Sequence, residues 1–568
     1  MLADYAGQGQ PLRQAYRKLR DGRPLRALRA SLLLVLALAT AAGPAAGQPA
    51  DQPGDDRLAR QVAAFAEAYD HGRYQEAAEL GAVALAMSRQ AFGDTADQTG
   101  FLMLNLARVH LRTGQTAKAT QLFNEARALF ERNYGASHPA VLEAELGLAA
   151  AAEVDDPAAA AVRYRAVVAR LRNTADADPV ALANAEVGLA GALRRSGDEA
   201  GALDAYAAAA DRFALALGAF HPATVQTRAT WASLQPSGWI AADTLFESWR
   251  SLRTTLGDSH PETERVGLVA AHTLMSLGAA GVALETALPL AARAPESRDE
   301  AAAIAVEAWQ ALRDPTATIR TMRAASPPEG AEAQAKEAAA AYLATLLIRF
   351  DRPVEAALAI DRARRLTGSL STSGAQLAEA LARMAEPQLA DAASLQAADL
   401  LAEAESIAEQ LDPAHPRRAE LSALIALVRA RRALAEGNPN EARAMAREAL
   451  DSLTDDADPR GVLRLRLRTV QAAAFLASGN DRLAAIAYNG LERDIAAAPK
   501  SIAAAAAAGG SRLLLTPGEA IAVLTACADY WREQPAVERL VAIQAQIAHW
   551  QVVESFWPAE SPPEPRDN

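Results

Sequence analysis

Cysteine is almost absent: Cys527 is alone in 568 residues. That excludes an internal disulfide framework and a cysteine-built zinc cluster. Cys527 lies in LTACADYW, a helical pattern with nothing nearby to activate it, so it reads as a buried, inert thiol. Aromatics are only 5% of the chain, and strong strand formers are sparse. The eight histidines are scattered, and none pairs with another at ligand spacing, so no metal or other cofactor is expected. No His-Glu-x-x-His, no phosphate-binding Gly-x-x-x-x-Gly-Lys, no Gly-x-Ser-x-Gly and no Cys–His arrangement is present. The expectation is that the chain is not an enzyme. The paired acids Asp155-Asp156 and Asp455-Asp456 fall in turns near helix starts, where carboxylates satisfy free amides.

What is abundant is apolar and small. Half the chain, 51%, is hydrophobic, yet mean hydropathy is −0.04 because much of that share is alanine. Alanine, leucine, arginine and glutamate favour helix. A length of 568 residues exceeds one ordinary core and calls for several domains or a repeat array. The net charge is −12. It becomes −17 once residues 1–47, with seven cations and two anions, are taken away. Such a chain repels phosphate backbones, so nucleic acid is not an expected partner.

Residues 1–30 are polar and basic, Ser31 to Gly43 is an unbroken apolar run, and small residues follow at Ala45 and Gly47. This is the layout of a secretory signal. The run is short for a membrane span, which needs about 20 residues. Cleavage near Gly47–Gln48 predicts an exported, periplasmic protein with no stable span after cleavage. The alternative is an uncleaved anchor in the inner membrane. Residues 48–56 read as a linker.

The remainder repeats itself. A Gly-x-x-His-Pro step occurs at Gly135–Pro139, Gly218–Pro222 and Gly257–Pro261, with Asp178-Pro179 between the first two. The prolines at 139, 179, 222 and 261 are 40, 43 and 39 apart, and Asp97 lies a further 42 back. Glycine suits a helix end, and proline suits the first position of the next helix. His138, His221, His260 and His415 therefore read as boundary residues. Inside the period, Leu106, Ala107, His110, Gly114, Ala119, Phe123 and Ala126 form a template. Leu189, Ala190, Leu193, Gly197, Ala202, Tyr206 and Ala209 repeat it position for position. The small residues let two antiparallel helices approach closely. Each hairpin leaves an apolar face that only neighbouring hairpins can cover. Trp249 stands where a small residue is expected.

This pattern resembles the tetratricopeptide repeat, and the long period with its His-Pro boundary is similar to the kinesin-light-chain subtype common in bacterial proteins. The resemblance implies an all-α, right-handed α-solenoid of antiparallel helix hairpins. HEAT and armadillo solenoids share the period. The expected organisation is a signal at 1–47, a linker at 48–56, about six repeats over 57–290, and an irregular helical connector at 291–336. A degenerate array at 337–500, capping helices at 501–557 with Trp531, Trp550 and Trp557, and a tail at 558–568 complete it.

The resemblance also implies that the first helix of each hairpin lines a groove. On that face lie Asn105, Arg108 and Arg112, then Arg194 and Arg195 two repeats on, then His272. Arginine can grip a carboxylate in a fork, and asparagine can pair with a peptide backbone. The implied role is an interaction scaffold of the bacterial envelope that binds extended protein segments with acidic residues or a free carboxyl end. Two alternatives stay open. One is a regulatory or sensor subunit of an envelope enzyme or secretion complex. The other is a helical enzyme with an unrecognised site in the C-terminal half.

Overall fold

The template residues sit where helix packing requires them. In the computed structural model Leu106, Ala107, His110, Ala119, Phe123 and Ala126 are all buried, as are Leu189, Ala190, Leu193, Ala202, Tyr206 and Ala209. The structure describes residues 53–554 apart from 71, 175–176, 236–237, 295–296, 329–330, 367–373, 387–394, 456, 502–503 and 506–512. The expected signal, the expected tail, Trp557 and Asp456 lie outside the described residues.

Among the described residues the elements are helices and none is a strand. They divide into two compact units, residues 1–227 and 228–568. The first holds α1 (Pro53–Asp70), α2 (Tyr74–Phe92), α3 (Asp97–Arg112), α4 (Thr116–Tyr134), α5 (Pro139–Ala152), α6 (Pro157–Arg172), α7 (Pro179–Arg195) and α8 (Glu199–Leu217). The division falls within α9 (Pro222–Leu234). Helix α1 begins at Pro53, inside the segment read as linker.

The second unit continues with α10 (Trp239–Leu256), α11 (Pro261–Ser276), α12 (Ala280–Arg293), α13 (Arg298–Leu312), α14 (Pro315–Ala324), α15 (Ala333–Arg349) and α16 (Pro353–Leu366). It ends with α17 (Gly374–Ala385), α18 (Leu395–Gln410), α19 (Arg418–Ala435), α20 (Pro439–Ser452), α21 (Val462–Ala477), α22 (Asp481–Ala497), α23 (Pro517–Arg532) and α24 (Val537–Val553).

In the first unit consecutive helices pair as hairpins, and each hairpin packs on the next. The turn in the α3–α4 hairpin is made at Gly114, whose φ of 73° lies in the left-handed region that glycine enters without a clash. The N–H of Gln115 then returns to the carbonyl of His110 at 2.8 Å, closing the last turn of α3. Gly135 ends α4 in the same way, with φ 85°.

The boundary histidines have a more specific role than punctuation. His138 is the N-cap of α5, and its Nδ1 accepts the N–H of Ala140 at 3.3 Å. His221 does the same for Ala223, and His260 for Glu262, each at 3.2 Å. Further along the second unit His415 accepts the N–H of Arg417 at 3.2 Å. Asp178 and Asp156 perform this task with a carboxylate. Each satisfies an amide that the helix itself cannot.

Between hairpins the fit is aromatic on glycine. A Cβ on Gly147 of α5 would lie 2.2 Å from the Phe123 ring of α4. One on Gly188 of α7 would lie 2.4 Å from the Tyr164 ring of α6. The second unit uses the same device to absorb Trp249. That side chain is buried in α10 because Gly267 of α11 leaves it room.

In the second unit α15, α17, α19, α21 and α23 form a row in which each touches the next, and α16, α18, α20, α22 and α24 pair with them. Helix α10 contacts α15 and is buried from Trp239 to Arg253 at nearly every position. The stretch expected as an irregular connector contains α13, which packs on α12, and the short α14. Trp531 and Trp550 are buried in the last helix pair. Cys527 is buried too, and burial, with Glu492 nearby, pushes its thiol up to about 12.

Candidate protein-interaction surface

Helix α3 is buried on three sides by its own hairpin and its neighbours. Of the positions left partly open, Phe101, Arg108 and Arg112 share one face with Asn105, itself at 6% exposure. Arg108 donates to Asn105 Oδ1 at 2.9 Å and forms an ion pair with Glu143 of α5. Arg112 reaches back to α2, where it lies 5.4 Å from the Tyr74 ring centre and its guanidinium donates to the Tyr74 hydroxyl at 3.5 Å. Helix α3 touches α5, and α5 touches α7, so the first helices form a continuous row within the unit.

On α7, Arg195 forms an ion pair with Glu153 at the end of α5, while Arg194 is exposed. Asn105, Arg108 and Arg112 are thus brought together on one helix face. Arg194 and Arg195 lie on the last turn of a helix two places along the row. His272 belongs to the second unit, on α11, where its Nε2 lies 2.9 Å from Glu300 on an exposed surface.

The acids that complete this face had gone unread. Glu143 and Glu153 tie α3, α5 and α7 together through the arginines above. Glu186 of α7, at 1% exposure, holds Arg172 at 2.7 Å and Arg212 at 2.8 Å, joining three helices. Its signal in sequence is faint: a single acid in the Ala-rich run ALANAEVGLAG.

The second unit hides a larger charged cluster. Arg417, at 1% exposure, sits just before α19. It donates to Gln376 Oε1 at 2.9 Å, pairs with Glu379 of α17, and lies 3.4 Å from Glu247 of α10. Arg250 pairs with Glu420, and both Arg250 and Arg417 lie over the Phe246 ring. Tyr342 donates to Asp243 at 3.3 Å.

The protonation states follow from the packing. Burial raises Glu247 to about 7, with Asp243 adding to the rise and Arg417 opposing it. Burial pushes Glu379 up as well, but Arg383 and Arg417 outweigh it and hold the carboxyl at about 2. His415 is pushed down to about 4 by burial and by Arg417. Perturbed groups gather in catalytic sites and in structural ion networks alike. Here the charges answer one another across α10, α17 and α19, which gives the cluster a structural role.

Among the described residues no group of three or more His, Cys, Asp or Glu is placed to hold a metal ion. No described helix is long and apolar enough to cross a membrane.

Comparison with known proteins agrees with the repeat geometry. A family model described as Tetratricopeptide repeat matches residues 59–132 and 102–173. No curated protein matches the chain. Solved structures with similarity include BtubC (BKLC) from P. vanneervenii, at 21% identity over 33% of this chain and 74% of that one, TM-score 0.27. Cut9–Hcn1 from an APC/C hetero-tetramer is 13% identical over 91% of this chain and 99% of that one, TM-score 0.29. A monomeric mutant of IFIT1 with m7Gppp-AAAA is 12% identical over 95% of each chain, TM-score 0.27. The likeness goes no further than stacked helix hairpins.

Proposed function

We propose that this protein, a tetratricopeptide-repeat solenoid, is an interaction scaffold that takes an extended peptide segment along the first helices of its N-terminal repeats. One observation carries the reading. Asn105, Arg108 and Arg112 line the open edge of α3, and Arg194 and Arg195 stand at the end of α7 in the same row of helices. A buried asparagine next to fork-shaped cations suits a backbone amide flanked by carboxylates. Arg112 and Arg194 are exposed at the ends of their helices. Arg108 and Arg195 already hold Glu143 and Glu153, so an incoming carboxylate competes with those acids. The favoured ligand is therefore an acidic segment or a free carboxyl end.

The test is charge reversal at Arg112 and Arg194, which are exposed and not engaged in the Glu143 and Glu153 pairs. Arg112→Glu with Arg194→Glu leaves the internal pairs intact, and native-membrane capture followed by mass spectrometry then compares bound proteins. Loss of a defined partner supports the reading. An unchanged set of partners, with the variant folded, overturns it.

The location proposed is the cell envelope, on the strength of the basic segment and apolar run before Gly47. Sequencing the N-terminus of the native protein tests it: a start near Gln48 supports export with cleavage, and an intact Met1 defeats cleavage.

A further inference from the structure

In the second unit α12 lies across from α15, α17 and the start of α21 without packing closely on them; its close neighbours are α11 and α13. Its first turn meets α15, where a Cβ on Gly281 would lie 3.6 Å from Arg349 Nη1. Its last residue meets the approach to α21, where Arg293 donates to the carbonyl of Pro459 at 2.7 Å. Between those two contacts the space is a cleft, spanned by side chains instead of touching backbones.

Most charges along it are matched. Arg383 of α17 donates through Nε to Glu379 at 2.7 Å, which leaves both of its Nη groups without a partner. Arg460, just before α21, pairs with Glu519 of α23 and donates to the carbonyl of Leu514 at 3.2 Å. Two groups are wholly unmatched. Arg349 is exposed and Glu285 of α12 is half-buried, yet neither forms a hydrogen bond or an ion pair with the other or with any described residue.

These two charges are nonetheless neighbours. Glu285 stands one turn along α12 from Gly281, roughly 6 Å beyond the point where Arg349 rests. Burial raises the Glu285 carboxyl and Glu379 adds to the rise, while Arg383, Arg460 and Arg349 oppose it. Enclosure lowers Arg349, and Glu285 and Glu519 oppose that. Charged groups from α12, α15, α17 and α23 therefore face one space. An arginine that water reaches and that is ringed in this way lines a concavity, not an outer surface.

We infer that this cleft binds a small zwitterion of the α-amino acid class. Its carboxylate lies in the fork of Arg349, with the free edge of Arg383 beside it, and its ammonium donates to Glu285. The separation keeps the two side chains from pairing and is short enough for a molecule with charges on adjoining carbons to bridge. Complementarity rejects half-ligands. A simple carboxylate leaves Glu285 unpaired beside Glu379, and a simple amine leaves two guanidinium groups facing it. The site belongs to the second unit and does not rest on the face of α3, α5 and α7.

The test uses the full chain at neutral pH. Scanning calorimetry is run with the standard L-amino acids, one at a time, and the tightest is then titrated by isothermal calorimetry. Its N-acetyl derivative, which keeps only the carboxylate, and its primary amide, which keeps only the ammonium, are titrated beside it. The expected result is a saturable rise in Tm with at least one amino acid. Each derivative should bind about tenfold or more weakly than the parent, the effect of losing one charge-assisted contact. Arg349→Gln and Glu285→Gln should each weaken binding by a similar factor. Neither residue holds a partner, so both variants should fold as the wild type does, which circular dichroism checks.

Four results would overturn the inference. They are no rise in Tm with any amino acid, equal affinity for the N-acetyl derivative, equal affinity for the amide, and undiminished binding in both R349Q and E285Q. The second would make the cleft a plain anion site, and the third a plain cation site.

Discussion

Gly147→Ala should destabilise the first unit although alanine is the better helix former. A methyl group at that position would meet three atoms of the Phe123 ring at 2.2, 2.4 and 2.5 Å. Ordinary carbon contacts begin near about 3.5 Å, so ring or helix must move by about 1 Å. Phe123 has little freedom to give way, because it is 1% exposed inside the core of the repeats. Overpacking of this kind costs about 1–3 kcal/mol. Replacing glycine inside a helix returns up to about 1 kcal/mol. With the full return the net loss is up to about 2 kcal/mol, or up to about 8 °C in Tm for a unit of this size. Differential scanning calorimetry of the full chain reads it as a downward shift of one transition.

Two controls separate crowding from a general effect of the substitution. Gly518→Ala has nothing within 4 Å and should leave Tm unchanged or slightly raised. Phe123→Leu should destabilise the wild type but recover part of the loss in the Gly147→Ala background, giving a favourable coupling in a double-mutant cycle. If Gly147→Ala matches Gly518→Ala, or the two sites add independently, then the aromatic-on-glycine fit does not set the hairpin spacing.

Two further outcomes follow from the second unit. Glu247, raised from 4.5 to about 7, contributes stability present below pH 4.5 that is lost as pH rises to 7. His415, lowered from 6.5 to about 4, contributes stability present above pH 6.5 that is lost as pH falls to 4. Each is worth about 3 kcal/mol with opposite slope. Relative to wild type, urea melts between pH 4.5 and 6.5 should therefore show a Glu247→Gln variant that gains stability as pH rises and a His415→Asn variant that loses it; a Glu247→Gln profile parallel to wild type refutes the assignment. Cys527, pushed up to about 12 in its buried site, should resist a thiol reagent in native protein at pH 8 and react in full once the chain is denatured, and rapid native labelling would refute the burial.

The first unit was legible in sequence because its rules are local. A helix period, a turn glycine and a His-Pro step all act within a few residues of one another. The template positions from Leu106 to Ala126 are core residues for that reason. Gly147 and Gly188 escaped notice because one more small residue in an alanine-rich helix gives no contrast. The candidate residues of α3 and α7 lie on the first helices of their hairpins, but Glu143 and Glu153, the acids that hold two of them, carry no mark in the sequence. The charged interior of the second unit was invisible for a different reason. Glu247 and Arg417 are 170 residues apart, as are Arg250 and Glu420. In the sequence FESWRSLR those charges look like an ordinary solvated helix face.

That same spacing bears on the order in which the chain folds. Hairpins of the first unit rest on adjacent neighbours, so structure there can grow by addition, one hairpin after another. Helix α10 carries Glu247 and Arg250, whose partners arrive only when the chain reaches Arg417 and Glu420. Until then two charges face an interior they cannot enter alone. Closure of the second unit is a late, long-range event with a large loop to organise. A nascent chain would hold its first repeats ordered while its second half stays open, and a truncation before Arg417 would leave Glu247 and Arg250 of α10 without those partners.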